Sequence, residues 1–193
     1  GRSMKDLAQI VEAAYWFNLS RERFSIIGIG ELGMVTRVLA HRLGSNLAYA
    51  SVGAGKETAP GQLDLETMKW LGNEPLVTGN VGYPLDHTLS PPMHNAAYRA
   101  AAVRGIYLRW VTLSDEMDEF MDVADTLGIK GFNVTIPHKE TIIPFLDRVD
   151  PVAERIGAVN TVVNQDGKMV GRNTDVIGVE KTFERNGVDV KDK

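Results

Sequence analysis

Apolar positions along the chain follow two periods, and the switching between them outlines the fold. Over residues 3–17, SMKDLAQIVEAAYWF, the residues Leu7, Ile10, Val11 and Ala14 return at the spacing of one helix face. Short apolar runs at 24–29 and 47–52 predict strands. Helices are predicted after them at 33–43, stopped by Gly44, and near 64–71. The stretch GNEP, 72–75, interrupts the pattern as a linker. Alternation then resumes with strand 76–82 and helix 91–104, where Met93, Ala96, Ala97, Ala100 and Ala101 share a face. Strand 106–113 leads into helix 115–127, with Met117, Phe120, Met121, Ala124 and Leu127 turned inward and the acidic residues outward. Strand 130–136 precedes short helices near 138–146 and 150–156. Residues 159–164 and 168–171 form a hairpin turning at Asp166-Gly167, and a last helix spans 175–185. Strands alternating with helices predict an α/β fold with parallel pairing.

Composition narrows the function classes. The chain has 193 residues, 44% hydrophobic and 24% charged, enough for one generous domain or one domain and part of another. A net charge of -4 offers no footprint for nucleic acid or an anionic membrane. There is no cysteine, which removes thiolate nucleophiles, disulfides and Cys-bound metals. His41, His87, His94 and His138 form no H-x-x-x-H pair, so no metal site is expected. No run reaches the ~18–20 apolar residues of a membrane span, and no signal-peptide pattern opens the chain. A cytoplasmic protein is expected.

Gly28, Gly30 and Gly33 spell G-x-G-x-x-G directly after an apolar run. A dinucleotide turn also needs an acidic residue at the end of the second strand, to bind the ribose hydroxyls. Here LAYASV ends in Gly53, Ala54 and Gly55, and Glu57 lies past Lys56. The alternative is a strand-to-helix turn that needs small residues, and the missing acid favours it.

Three later stretches carry more chemistry. In VGYPLDHTLSPPMHNAAY, Thr88 and Ser90 place two hydroxyls on a strand-to-helix loop. Ser90 reads either as a helix N-cap before Pro91 and Pro92 or as part of an anion site. In GFNVTIPHKE, Asn133, Thr135 and Lys139 lie near the C-terminal end of a strand, where parallel sheets bind ligands. A partly desolvated lysine there can exchange protons. In GAVNTVVNQDGKMVGRNTDVIG, Asn160 starts the hairpin and Asp175 follows its end. Asp175 is either a helix cap or a partner for Asn160 brought back by the hairpin.

Two family resemblances follow from these residues. GELGMVTRVLAHRLGS and YASVGAGKETAPGQL, within residues 20–70, resemble the last third of type I 3-dehydroquinate dehydratase, an eight-stranded (β/α) barrel family. The resemblance implies that Arg37, Thr58 and Gln62 descend from its substrate site; structural filler is the other reading for each. The family's Schiff-base lysine and catalytic histidine have no counterpart here, and two strand–helix units cannot close the barrel. Residues 77–190 resemble shikimate dehydrogenase through G-x-P-x-x-H-[ST]-x-S-P, N-V-T-x-P-x-K, G-A-V-N-T and N-T-D, in order.

The second resemblance implies roles position by position. Thr88 and Ser90 would hold the shikimate carboxylate, Thr135 would support binding, and Asn160 and Asp175 would bind ring hydroxyls. Lys139 and Asp175 would be the catalytic pair for reduction of 3-dehydroshikimate with NADPH. Thr88 stands where many members have serine, and Val176 where bacterial members often have glycine. The order of the two parts resembles the fused dehydratase–dehydrogenases of plants and some microbes.

The expected organisation is therefore an incomplete barrel segment at 1–74 and a substrate-binding, catalytic domain at 75–193. The second part is expected to be a three-layer α/β domain with a mostly parallel sheet. The NADP-binding domain is expected beyond Lys193, so this chain alone would be inactive. Expected partners are shikimate and 3-dehydroshikimate, with self-association through apolar faces of the barrel segment. A plastid location replaces the cytoplasm if the parent is of the plant type. The rival readings are a shikimate- or quinate-binding module without catalysis, a quinate-preferring dehydrogenase, and a related lysine-bearing enzyme such as a tetrahydrofolate dehydrogenase.

Overall fold

The computed structural model describes residues 3–188. Residues 1–2 and 189–193, the outer ends of the expected 1–74 and 75–193 divisions, lie outside the described residues. The helices are α1 (Met4–Ser20), α2 (Met34–Val38), α3 (Leu65–Leu71), α4 (Ser90–Ala100), α5 (Met117–Thr126), α6 (His138–Thr141), α7 (Pro151–Ile156) and α8 (Asp175–Arg185). The strands are β1 (Leu76–Gly82), β2 (Gly105–Val111), β3 (Gly131–Val134), β4 (Arg148–Val149), β5 (Thr161–Gln165) and β6 (Lys168–Arg172). They form one six-stranded sheet in the order β2-β1-β3-β5-β6-β4. The pairs β1–β2, β1–β3 and β4–β6 are parallel, and β3–β5 and β5–β6 are antiparallel. The expected α/β class with a mostly parallel sheet and one hairpin is what forms. Asp166 and Gly167 take positive φ at the hairpin turn, the conformation a tight turn of this kind needs.

Register divides the sheet into two chemically different faces. Thr78 pairs with Tyr107 and with Gly131, and Asn80 with Arg109 and with Asn133, so these residues share one face. The opposite face carries Val77, Val81, Ile106, Leu108, Trp110, Phe132 and Val134, all buried. Helix α5 covers that apolar face. Phe120 sits edge-on to Phe132 at 4.9 Å and tilted to Trp110 at 6.1 Å. Fully burying side chains of this size contributes about 1.5–3 kcal/mol each.

Helix α4 covers the polar face and corrects the pattern reading. Its sheet-facing residues are His94, Asn95 and Tyr98. His94 stacks on Tyr107 at 4.2 Å, Asn95 bonds both backbone groups of Tyr107, and Tyr98 meets the Thr78 hydroxyl at 2.7 Å. Met93, Ala96, Ala97, Ala100 and Ala101 are exposed. The helix presents hydrogen-bonding groups to a sheet face that carries hydroxyls, so its apolar stripe points outward.

The first segment departs from expectation. Helix α1 starts at a capping box, in which Ser3 Oγ accepts from Asp6 N–H and Asp6 Oδ2 accepts from Ser3 N–H. Its buried face, Met4, Leu7, Val11 and Ala14, joins the same apolar cluster as the sheet and α5. The runs 24–29 and 47–52 do not form strands; Ser51 makes only an isolated parallel bridge to Asp64. A parallel strand needs a neighbour's ladder of donors and acceptors. Here Phe24 N–H donates to Asn46 Oδ1 and Ile26 N–H to Ser45 Oγ, side-chain oxygens standing in for that ladder. The expected helix 33–43 is regular only over α2, followed by turns to Gly44. No described helix is long and apolar enough to cross a membrane.

Candidate functional site

The strand order β2-β1-β3 puts a topological switch point between β1 and β3. From β1 the chain runs through α4 to β2, and then through α5, on the other face, back past β1 to β3. From the C-terminal ends of β1 and β3 the chain goes on to strands on opposite sides of this point, the place where open α/β sheets bind ligands. The β1 loop carries Thr88 and Ser90, and the β3 loop carries Thr135 and Lys139. The two loops run side by side: Thr135 N–H donates to Val81 C=O at 3.0 Å and Tyr83 N–H to Ile136 C=O at 3.0 Å. The Tyr83–Pro84 and Ile136–Pro137 peptides are both cis.

Lys139 and Asp175 meet directly, with Nζ 2.7 Å from Oδ2. The Lys139 hydrogen bond holds the Asp175 carboxyl below its ordinary range; burial opposes it, and the neighbouring Asn160 side chain adds to the lowering. The pair is partly open, with 38% of the lysine side chain and 56% of the aspartate exposed, so a ligand can reach both.

Asn160 is buried and organises the hairpin's return. Its Oδ1 accepts from Thr174 N–H at 2.9 Å, and its Nδ2 donates to Thr174 Oγ1 at 3.0 Å. Asn173, also buried, accepts from Asp175 N–H at 3.0 Å and donates to Ala158 C=O at 2.9 Å. Thr174 rather than Asp175 is the N-cap of α8, so Asp175 is the first helical residue and its carboxylate is left for Lys139.

Tyr107 and Thr161, which the sequence-based site does not include, join Asn133 in a polar chain across it. The Tyr107 phenol donates to Asn133 Oδ1 at 2.8 Å, and the nearby Ser90 side chain favours its ionised form against the burial that disfavours it. Asn133 Nδ2 donates to Thr161 Oγ1 at 3.2 Å, and that hydroxyl donates to Asn160 Oδ1 at 2.9 Å. Hydrogen bonds thus run from Tyr107 through Asn133 and Thr161 to Asn160, with Ser90 acting on Tyr107 at one end and the Lys139–Asp175 pair next to Asn160 at the other. Burial pushes the Tyr107 phenol above its ordinary range, so it remains a neutral donor. Asn133 was visible as a polar residue near a strand end. Tyr107 could be found only from the strand order.

Ser90 corrects one reading. The N-cap of α4 is Leu89, and Ser90 is the first helical residue, with its hydroxyl making no capping bond. Ser90 N–H donates to Thr88 Oγ1 at 3.3 Å, and its side chain acts on the Tyr107 phenol. Thr135 lies at the loop start, where its C=O accepts from His138 N–H at 2.9 Å.

Arg37, Thr58 and Gln62 also come together, around a separate cavity of about 430 Å³ with Ile27, Ile29, Tyr49 and Ala59. Arg37 is buried, which lowers the pKa of its guanidinium. Its Nη1 donates to Tyr49 C=O at 3.4 Å, and its Nε has no hydrogen-bond partner. Gln62 Oε1 accepts from Thr58 N–H at 2.8 Å and Oγ1 at 3.2 Å.

The glycine turn does not fit a dinucleotide. Gly28 N–H already donates to Thr36 Oγ1 and Gly30 N–H to Pro60 C=O. A Cβ on Gly33 would lie 2.3 Å from the Gly28 carbonyl carbon, so the glycines are needed for backbone contact with each other. No open cradle of N–H groups remains for a pyrophosphate.

Two families match this chain, over separate stretches. Residues 81–162 match the family described as shikimate dehydrogenase substrate binding domain. Residues 1–71 match type I 3-dehydroquinase. The chain is similar, in order, to the two parts of a fused protein. The bifunctional 3-dehydroquinate dehydratase/shikimate dehydrogenase, chloroplastic, of Arabidopsis thaliana is 36% identical over 180 residues, covering 88% of this chain and 30% of that protein. Shikimate dehydrogenase (NADP(+)) of Methanosphaera stadtmanae is 47% identical over 118 residues, covering 61% of this chain and 41% of that protein. A crystal structure of shikimate dehydrogenase in complex with NADP+ superposes with a TM-score of 0.59 at 43% identity, covering 63% of this chain and 42% of that one. The Listeria monocytogenes enzyme in complex with shikimate and NAD gives 0.57 at 34%, covering 60% and 40%. The chain thus spans less than half the length of each of these relatives.

Proposed function

We propose that this chain carries the substrate-binding and proton-transferring half of a shikimate dehydrogenase, fused in its parent to a 3-dehydroquinate dehydratase. The division falls at 1–74 and 75–193. The observation that carries the reading is the Lys139–Asp175 contact at 2.7 Å, next to Asn160, from which hydrogen bonds lead through Thr161 and Asn133 to Tyr107.

Thr88 and Ser90 take the substrate carboxylate, Thr135 supports the ring, Asn160 donates to a ring hydroxyl, and the Asp175 carboxylate accepts from one. Lys139 holds a proton on Nζ and gives it to the ketone oxygen as negative charge develops there; in reverse the neutral amine takes it back. Asp175 orients the ammonium and favours its charged form. In this family NADPH supplies the hydride. We assign that cofactor to the part of such a dehydrogenase that this chain does not span, and expect the chain alone to be inactive. Arg37 supplies a carboxylate partner in the first segment, with Thr58 and Gln62 beside it. Self-association through exposed apolar side chains of that segment goes with this reading, as does a cytoplasmic location, or a plastid one in a plant-type parent.

Titration of shikimate into the chain, followed by NMR or calorimetry, tests the proposal. Saturable binding weakened by Ser90→Ala is expected. No binding at millimolar shikimate, or binding indifferent to Ser90→Ala, overturns the carboxylate assignment.

A further inference from the structure

We propose that Arg109 is a positioning residue for the Thr88–Ser90 loop, held in place by Glu31 of the first segment. This rests on the reading of that loop as the substrate carboxylate site. It adds that the first segment sets the loop's geometry.

Arg109 lies on β2, on the same face as Tyr107. Tyr107 reaches into the polar chain of the site, whereas Arg109 reaches away from it in two directions. Its Nη1 donates to Leu85 C=O at 3.4 Å, and its Nε donates to Glu31 Oε1. Leu85 is buried, and its carbonyl also accepts from Thr88 N–H at 3.2 Å, closing the turn that presents Thr88. Thr88 Oγ1 in turn accepts from Ser90 N–H. Both hydroxyl-bearing residues therefore hang from one carbonyl, and that carbonyl is gripped from behind by a guanidinium.

Glu31 is itself presented by a constrained turn. Gly30, just before it, has φ +95°, and its N–H donates to Pro60 C=O at 3.0 Å. A Cβ on Gly61 would lie 2.1 Å from Gly30 C=O, so the two turns are in backbone contact. The carboxylate that orients Arg109 thus comes from the Gly30–Pro60 junction of the first segment. A planar guanidinium can serve a carboxylate and a carbonyl at once through its fixed fork; a lysine ammonium on a flexible stem cannot hold both in one geometry. The ion pair is part-exposed, with 31% of the arginine and 40% of the glutamate side chain open, so its effect belongs in loop geometry more than in global stability.

The test uses assigned NMR spectra of the whole chain. In the ligand-free protein, Arg109→Ala is expected to speed amide exchange at Thr88 and to shift the Thr88 and Ser90 resonances. Glu31→Gln shifts the same set, and Arg109→Lys does not restore it. With shikimate, Arg109→Ala weakens binding about three- to tenfold, the range for losing one hydrogen-bonded anchor, while Tm changes little. Unchanged exchange and resonances at Thr88 and Ser90 in Arg109→Ala overturn the positioning role, whether or not shikimate binds. If the unmodified chain binds no shikimate yet Arg109→Ala moves those resonances, the positioning of the loop stands and the carboxylate reading falls.

Discussion

The Lys139 ammonium sits 2.7 Å from Asp175 Oδ2, although 36 positions of sequence separate the two residues. Two devices bring them together. Strand β3 ends beside β1 and delivers the loop carrying Lys139, and the β5–β6 hairpin returns the chain so that α8 starts next to it. Buried Asn160 and Asn173 then fix the first residues of α8 by bonding Thr174 and Asp175 backbone N–H groups.

This contact predicts a pH response. Asp175 has its pKa lowered in the folded chain, chiefly by Lys139. A carboxyl whose folded pKa lies below the unfolded value near ~3.9 adds stability above that value and loses it as pH falls through the folded pKa. In Lys139→Ala the Asp175 carboxyl should titrate closer to the ordinary aspartate value, read from its side-chain carbon shift by NMR. An unchanged midpoint would mean that the lysine does not hold the carboxylate charged. Because both groups are part-exposed, the effect on total stability should be small.

The glycine turn makes a second prediction, a steric one. A Cβ on Gly33 would meet Gly28 backbone at 2.3 Å, and backbone cannot give way as a side chain can. Gly33→Ala should cost about 1–3 kcal/mol in urea unfolding. Gly53→Ala, where a Cβ meets nothing within 4 Å, should stay within about 0.5 kcal/mol of the parent. Equal effects at the two positions would show that the Gly28–Gly33 contact is not close-packed in solution.

Much of the second part was legible in the sequence because its periods are strong. The inward set of α5 and the hairpin at Asp166-Gly167 follow from local pattern, and motif alone brings forward the proposed site residues Lys139, Asn160 and Asp175. Helix α4 was not legible. Periodicity locates its Met93–Ala100 stripe but does not say which side faces the sheet, and the hydroxyl-lined sheet takes His94 and Tyr98 instead. Tyr107 escaped for a related reason: its role depends on β2 and β3 flanking β1, a long-range fact. The runs 24–29 and 47–52 have strand-like composition, but without neighbouring ladders they settle on side-chain acceptors and a single bridge.

Glu116 makes a third prediction, about how the two segments are joined. It is buried, and its two carboxylate oxygens accept from Met4 N–H and from Leu113 N–H, each at 3.1 Å. One bond ties the first turn of α1 to the segment before α5; the other closes the local turn. Glu116→Ala leaves both donors without that partner and should cost about 1–3 kcal/mol. Glu116→Gln, which keeps one acceptor oxygen, should cost less. Hydrogen exchange at Met4 and Leu113 should quicken together in the alanine variant. Quickening at Leu113 alone would mean that α1 is held by its apolar face and not by this carboxylate.

The end of α1 predicts behaviour at high concentration. Tyr15, Trp16, Phe17 and Leu19 are all exposed, with Trp16 at 61%, while Phe17 stacks on Phe24 at 5.3 Å. Adjacent exposed aromatics of this kind are uncommon on monomers and favour contact with another apolar surface. Static light scattering should therefore show the weight-average mass rising with concentration. Trp16→Glu should reduce that rise without lowering Tm, because the indole makes little buried contact to lose and gains a charge that repels a second copy. A constant monomer mass across the range would remove self-association from the proposal. A rise that Trp16→Glu leaves unchanged would move it to another exposed face, with the outward Met93–Ala100 stripe of α4 the next to test.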